Sequence, residues 1–243
     1  AVSMGLLGEE AAELNEAFNH WIVSGTPFVT VKAGMSLDGK IATANGESKW
    51  ITGLMARGYG MRLRAGADAI LVGVNTIVQD NPSLTVRLTG FKGKRLRRII
   101  LDPRARTPLE AKVVSDADAA MTTIVTAKSA PRGRVQALAK RVRILQAPPR
   151  NGAIDLRWLL LKLGGEDVTN LLVEGGGETN ASFLHAGLAH RIAFFYAPLV
   201  LGGADAPKGV GGRGVARVRE GIRLRDETWR RVGLDLLLTA RIE

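Results

Sequence analysis

The chain contains no cysteine in 243 residues. That absence excludes disulfides, thiolate nucleophiles and thiolate–metal sites. Histidine is nearly as scarce, with only His20, His185 and His190. A histidine-rich metal centre is therefore excluded, no metal is expected, and a Ser–His–Asp triad has few candidates. Aromatic residues make up 5% of the chain and do not interleave with the basic clusters. This argues against a stacking platform for single-stranded nucleic acid. No apolar run approaches the roughly 18 residues of a membrane span. The N-terminus lacks the basic-then-apolar order of a secretory signal, so a cytoplasmic location is expected. Any chemistry has to come from carboxylates, lysine, backbone amides or a bound cofactor.

Positive charge, by contrast, is plentiful. Lys and Arg number 34 against 23 Asp and Glu, for a net charge of +11. Such a balance suits an anionic partner, either nucleic acid or a phosphorylated small molecule. One basic cluster comprises Lys92, Lys94, Arg95, Arg97 and Arg98; a second spreads over Arg213, Arg217, Arg219, Arg223 and Arg225. The plainer reading of both is a solvated face. With 46% hydrophobic residues the chain can still bury a core.

Hydrophobic periodicity predicts an amphipathic helix over 6–22, ended by Ser24-Gly25-Thr26-Pro27. Residues 28–33 alternate as a strand, and 40–43 can continue as a second short strand after the Asp38-Gly39 turn. Thr52 is a candidate cap for a helix running to about Ala65. Further strands are expected over 69–72, 98–101, 123–126, 142–145, 170–173, 192–196 and 234–238, with helices over 134–140, 156–163 and 178–186. Strands alternating with helices predict an α/β fold with a largely parallel sheet. The Gly-rich stretch 202–214 reads as a mobile loop.

Three stretches can carry chemistry. In Val173-Glu174-Gly175-Gly176-Gly177-Glu178-Thr179-Asn180 an apolar strand runs through three glycines into a helix. Such a turn can seat a phosphate on free N–H groups, or simply close a tight strand-to-helix connection. It matches neither G-x-G-x-x-G nor a Walker A loop. Glu174, at the carboxyl end of its strand, can hold a ribose hydroxyl, relay a proton or be a solvated loop acid. Lys32 is a charge inside an apolar strand, placed there by a site or snorkelling from an edge. The segment from Thr76 to Arg87, with Asp80-Asn81-Pro82 at its centre, reads alone as a turn.

Together these stretches resemble one family: the reductase domain of the bifunctional riboflavin-biosynthesis deaminase–reductase, whose fold is that of dihydrofolate reductase. The resemblance rests on Pro27-Phe28-Val29 with Lys32, on 36–42 (Ser-Leu-Asp-Gly-Lys-Ile-Ala), and on 46–52 (Gly-Glu-Ser-Lys-Trp-Ile-Thr). It continues with Leu63-Arg64, 68–73, 80–87, 173–176, Ala197-Pro198 and Gly202-Gly203, in family order. The family implies a dihydrofolate-reductase-like α/β fold, with a mixed, mostly parallel central sheet flanked by helices. Residues 1–26 resemble the linker after a deaminase domain, and 27–243 the reductase domain.

The resemblance also implies an activity: NADPH-dependent reduction of the ribosyl group of 5-amino-6-(5-phosphoribosylamino)uracil to a ribityl chain. By position, Gly34, Trp50, Thr76 and Asp80 are expected at the NADPH. The loop Gly176–Ser182, with Gly175 before it, is expected to cradle the pyrophosphate; it contains Gly177, Glu178, Thr179, Asn180 and Ala181. Ser48, Arg64, Leu84, Arg87 and Glu174 are expected to line the substrate pocket. Lys32, Asp80 and Glu174 are the candidates for proton supply and orientation, and Arg64 and Arg87 suit the 5′-phosphate. The expected partner is a phosphorylated pyrimidine, without nucleic acid or membrane, and a homodimer is expected. The family's deaminase carries H-x-E and P-C-x-x-C. A chain without cysteine cannot supply that site, so deamination is assigned to a separate chain or a missing domain. Two other readings remain: a related reductase of another pterin or pyrimidine, and a basic nucleic-acid-binding protein.

Overall fold

Val29, Val31, Ala33 and Met35 are buried on one face, and Phe28, Thr30 and Ser36 on the other, which makes β1 (Phe28–Ser36) a strand covered on both faces. This is the pattern of a central strand in a parallel sheet. The computed structural model describes residues 5–93, 95–150 and 153–243; Lys94 of the first basic cluster and the first four residues of the expected linker lie outside the described residues. The other strands are β2 (Ala69–Gly73), β3 (Arg97–Leu101), β4 (Thr122–Ala127), β5 (Arg143–Ala147), β6 (Pro149–Arg150), β7 (Ala153–Ile154), β8 (Asn170–Val173), β9 (Arg191–Ala197), β10 (Leu224–Val232) and β11 (Asp235–Ile242). The helices are α1 (Gly8–Leu14), α2 (Glu16–Ser24), α3 (Leu54–Ala65), α4 (Val74–Asp80), α5 (Lys112–Ser115), α6 (Arg132–Ala139), α7 (Leu156–Gly164) and α8 (Gly177–His185). Among the described residues no helix is long and apolar enough to cross a membrane.

Nine strands form one sheet in the order β10-β11-β9-β1-β8-β2-β3-β4-β5. β1 pairs in parallel with both β8 and β9, and only β11 runs against its neighbours. The α/β architecture with a mostly parallel sheet is thus the one the sequence predicts. Register puts Val29, Val31, Leu171 and Val173 on one face, where Leu159 and Leu163 of α7 and Phe183 of α8 cover them. Phe183 is 0% exposed, a burial that stabilises by about 1.5–3 kcal/mol. Ile70, Val72, Ile100 and Leu172 face the other way, onto Ile77 of α4, Val113 of α5 and Leu138 of α6. Phe195 and Leu237 on that second face pack under Ala56 of α3.

The N-terminal helix of the sequence reading is two helices. Asn15 sits between them with φ −102° and ψ 14°, and its side chain donates to the Ala11 carbonyl at 2.9 Å. That local bond competes with the helical ladder. α2 is fastened to the sheet domain: Trp21 Nε1 donates to the Gly164 carbonyl at 2.9 Å, and Glu16 pairs with Arg191 at 2.6 Å and Arg241 at 2.8 Å. Any Cβ on Gly164 would collide with the Gly25 carbonyl, so the close approach needs glycine there.

The expected strand over 40–43 reduces to one bridge, Lys40 to Lys208. Asp38 and Ser36 fold this segment back instead: Ser36 Oγ accepts from Lys40 N at 2.9 Å and donates to Asp38 Oδ1 at 2.7 Å. Gly53, rather than Thr52, is the N-cap of α3, and its N–H donates to Asp235 Oδ2 at 2.8 Å. The Gly-rich stretch is tied down along its length. Asp38 accepts from Leu201 N and Gly202 N, Asn180 Nδ2 donates to Gly209 O at 2.8 Å, and Gly211 N donates to Gly177 O at 3.0 Å.

Candidate active site

The carboxyl ends of β1, β2 and β8 open onto a cleft of about 480 Å³. In open parallel sheets this edge is where ligands collect. Lys32 enters from β1, on the face of Thr30 and Gly34. It lies along α3, where a Cβ on Gly60 would come within 3.7 Å of its Cε. Glu174 follows β8 directly and is anchored by its N–H to the Leu71 carbonyl at 2.9 Å. Arg64 arrives from the last turn of α3.

These three charges meet. Arg64 Nε donates to Glu174 Oε1 and Nη2 to Oε2, each at 2.8 Å, while Lys32 Nζ is 3.8 Å from Oε2. Burial alone would raise the Glu174 pKa, but the cations of Lys32 and Arg64 and the Arg64 hydrogen bonds outweigh it and hold the carboxyl at about 2. The remaining Arg64 nitrogen, Nη1, donates to the Thr85 carbonyl at 3.1 Å. Three of its five N–H donors are therefore turned onto the protein. Arg87 lines the same cleft, and among the described residues no hydrogen bond or ion pair engages its guanidinium.

The α4 side of the cleft carries Thr76 and Asp80, and Asp80 Oδ1 accepts from Ser48 Oγ at 2.8 Å. The Leu84 side chain is buried, with its backbone in the left-handed region at φ 51°. Trp50 is 73% exposed and lies flat against the Arg57 guanidinium, 4.0 Å from ring centroid to Cζ. Gly34 borders the same cleft, and a Cβ there would meet Thr52 Cγ2 at 3.2 Å.

Past Gly176 the cleft continues into an apolar slot of about 410 Å³. The two parts share Ile41, Thr76 and Gly176. Gly176 is the N-cap of the nine-residue α8, whose first N–H groups have no helical partner. The three glycines divide by role. A Cβ on Gly175 would run into the Thr179 side chain, and one on Gly177 into the Lys208 carbonyl. A Cβ on Gly176 would meet nothing within 4 Å. That open space beside free N–H groups fits a diphosphate in backbone contact. Gly177, Glu178, Thr179 and Ser182 also border the slot. Asn180 and Ala181 do not: both are buried, and Asn180 Nδ2 donates to Gly209 O. Glu178 Oε1 is turned away as well, accepting from Gly212 N at 2.9 Å.

Some residues here carried no signal in the sequence. Lys112 reaches the cleft from the four-residue α5, and Leu101, Pro103, Ile154 and Leu156 form the slot from separate segments. Arg98 moves the other way. Grouped with a basic surface cluster, it is 1% exposed and paired in bidentate fashion with Asp116 at 2.7 and 2.8 Å.

Comparison with known proteins shows the family and the fold. Residues 27–238 match the RibD C-terminal domain family. The chain is 38% identical over 96% of its length to the riboflavin biosynthesis protein RibD of Actinobacillus pleuropneumoniae, and spans 62% of that protein. It is 39% identical over 87% of its length to the 2,5-diamino-6-ribosylamino-4(3H)-pyrimidinone 5′-phosphate reductase of Methanothermobacter thermautotrophicus, spanning 96% of it. The solved structure of Acinetobacter baumannii RibD superposes with a TM-score of 0.82 at 28% identity, over 96% of this chain and 63% of that one. The fold is therefore the dihydrofolate-reductase-like α/β fold that the sequence motifs imply.

Proposed function

Since this chain belongs to the RibD C-terminal domain family, we propose that it reduces the ribosyl group of 5-amino-6-(5-phosphoribosylamino)uracil to the ribityl chain, with NADPH as reductant. The observation that carries this reading is the meeting of Lys32, Glu174 and Arg64 in the same cleft as the open N-cap at Gly176. A nicotinamide cofactor, when bound, would supply the hydride.

Each residue then has a task. The α8 N-terminus around Gly176 would hold the diphosphate, with Thr76, Gly34 and Trp50 along the nicotinamide side. Glu174, with its carboxyl held at about 2, stays ionised at neutral pH and cannot donate a proton. Its role is to orient Lys32 and Arg64. Lys32 remains as the proton donor to the opened sugar, and Asp80 with Ser48 as a polar contact to substrate or water. Arg87 would take the 5′-phosphate, and the net charge of +11 suits two phosphorylated ligands. Deamination would belong to another chain or domain, and the working form would be a cytoplasmic homodimer.

The deciding experiment is steady-state oxidation of NADPH and NADH with the deaminated uracil substrate. Parallel assays would use the 2,5-diaminopyrimidinone acted on by the methanogen relative and a dihydropterin. Turnover with the uracil compound supports the reading. Turnover with the pterin alone, or salt-sensitive DNA retention without dinucleotide binding, overturns it.

A further inference from the structure

The segment Ser36-Leu37-Asp38-Gly39-Lys40 stands out in the sequence, yet the proposed reaction gives it no task. In the fold it faces the Gly-rich stretch. Asp38 is exposed, and its two oxygens accept from Ser36 Oγ at 2.7 Å, Leu201 N at 3.1 Å and Gly202 N at 2.8 Å. These donors, the Ser36 hydroxyl foremost, hold its carboxyl at about 2, so it is ionised at neutral pH. Lys40 is buried, which is uncommon for lysine, and its ammonium donates to Gly203 O at 2.9 Å. Gly202 and Gly203 both have left-handed backbone, at φ 67° and 81°, a bend that favours glycine. Farther along, Ile41 N donates to Pro207 O at 2.8 Å and Gly209 N to Gly39 O at 2.9 Å.

The same stretch backs the first turn of α8. Gly211 N donates to Gly177 O at 3.0 Å and Gly212 N to Glu178 Oε1 at 2.9 Å. The fully buried Asn180 donates through Nδ2 to Gly209 O at 2.8 Å. The Lys208 carbonyl lies where a Cβ on Gly177 would stand. Residues 201–212 thus form a strap, bonded to 38–41 and to Gly177, Glu178 and Asn180. The first N–H groups of a helix have no helical partner, so their direction depends on what backs the turn.

We propose that Asp38 and Lys40 are positioning residues for the dinucleotide: they latch the strap against α8 and so fix the diphosphate seat at Gly176. The inference rests on the reductase reading above. Neither side chain borders the cleft or the slot, so both act through the strap. A seat ordered in advance spares the ligand the cost of ordering it. The coupling is reciprocal: a dinucleotide that needs the ordered strap must itself steady it.

The test is calorimetric binding of NADP⁺ and NAD⁺ to the full chain, beside hydrogen exchange at the Gly211 and Gly212 amides and steady-state kinetics. In wild-type protein NADP⁺ should slow both amides. In D38A both should exchange faster, and the dissociation constant of each dinucleotide should rise about tenfold. K40M should act likewise. D38N should keep part of the affinity, because its amide oxygen can still accept from Gly202 N. At saturating dinucleotide, kcat and the KM for the pyrimidine should stay within about twofold, a split that general loss of structure would not leave. Melting well above the assay temperature shows that the variants fold. Faster exchange with unchanged dinucleotide affinity overturns the inference alone. So do unchanged amides in D38A, wild-type amides indifferent to NADP⁺, or a kcat that falls at constant affinity. A wild-type chain that binds no nicotinamide dinucleotide overturns the reductase reading and this inference with it.

Discussion

Arg64 grips Glu174 by two hydrogen bonds of 2.8 Å, joining residues 110 apart in sequence. Both side chains are largely buried, at 12% and 9% exposure. Removing the carboxylate leaves a buried guanidinium without its counter-charge, and broken buried pairs of this kind cost about 3–5 kcal/mol. E174A should therefore lower unfolding stability by about that amount, in addition to abolishing turnover. Urea unfolding measures it. A stability loss below about 1 kcal/mol would mean that the pair is solvated and matters only to chemistry.

The same pair sets an acid limit. The Glu174 carboxyl is held at about 2 in the folded chain against an ordinary value of 4.5. Between those values the unfolded chain binds more protons, so stability is fully present above about pH 4.5 and is lost as pH falls toward 2. Wild-type stability should drop more steeply than that of E174Q across this window. Parallel profiles would remove Glu174 as a source of acid sensitivity.

Lys32 stands 3.8 Å from Glu174 and is the proton donor of the proposed reaction. K32M keeps most of the aliphatic volume against Gly60 and removes the ammonium. It should cut kcat by roughly 10²–10⁴-fold, the usual contribution of a positioned acid, with dinucleotide affinity and melting temperature little changed. Unchanged turnover would take Lys32 out of the mechanism.

The glycine turn allows a sharper separation. Gly176 has φ −61° and open space where a Cβ would stand, so an added methyl fits the fold there and intrudes on the volume proposed for the diphosphate. G176A should weaken dinucleotide binding about tenfold or more, read by quenching of the intrinsic fluorescence of the four tryptophans, at nearly wild-type thermal stability. In contrast, G177A forces a Cβ into the Lys208 carbonyl. It should destabilise by about 1–3 kcal/mol, as overpacking does. If both variants lost stability alike, Gly176 would be as structural as its neighbours.

How much of this was legible in the sequence depended on whether the signal was local. The β-rich run of β1, the strand-glycine-helix sequence at 170–185 and the ordered motifs of the family are local, and the fold follows from them. β10 was missed because it is an exposed edge strand, with charges where alternation would be sought. Asn15 ended a helix that hydrophobic spacing alone would continue. Within the site, Lys32 and Glu174 stood out as charges against apolar strands. The commitment of Arg64 to Glu174, and of Asn180 to Gly209, depends on chain segments brought together only by folding. The apolar slot is likewise assembled from the ends of β3, β7 and α7, none of which announces a ligand by itself.

Arg98 is the most consequential residue misfiled by composition. Its guanidinium, buried in β3, donates to Thr122 Oγ1 at 2.9 Å, Ser83 O at 2.9 Å, Val113 O at 3.2 Å and both oxygens of Asp116. Ser83 immediately precedes Leu84, whose left-handed backbone turns it into the cleft. Arg98 thus connects the packing of α5 and β4 to the shape of the loop that lines the cleft. Lysine supplies the charge without the fork, so R98K should fold with a loss of about 1–3 kcal/mol and keep only some of these bonds. The loop should then be less well held. KM for the pyrimidine should rise several-fold, by about 1 kcal/mol of binding, with NADPH affinity unchanged and kcat falling less. Steady-state kinetics beside calorimetric cofactor binding checks this. A uniform drop in kcat at constant KM would mean that Arg98 supports the fold without shaping the site.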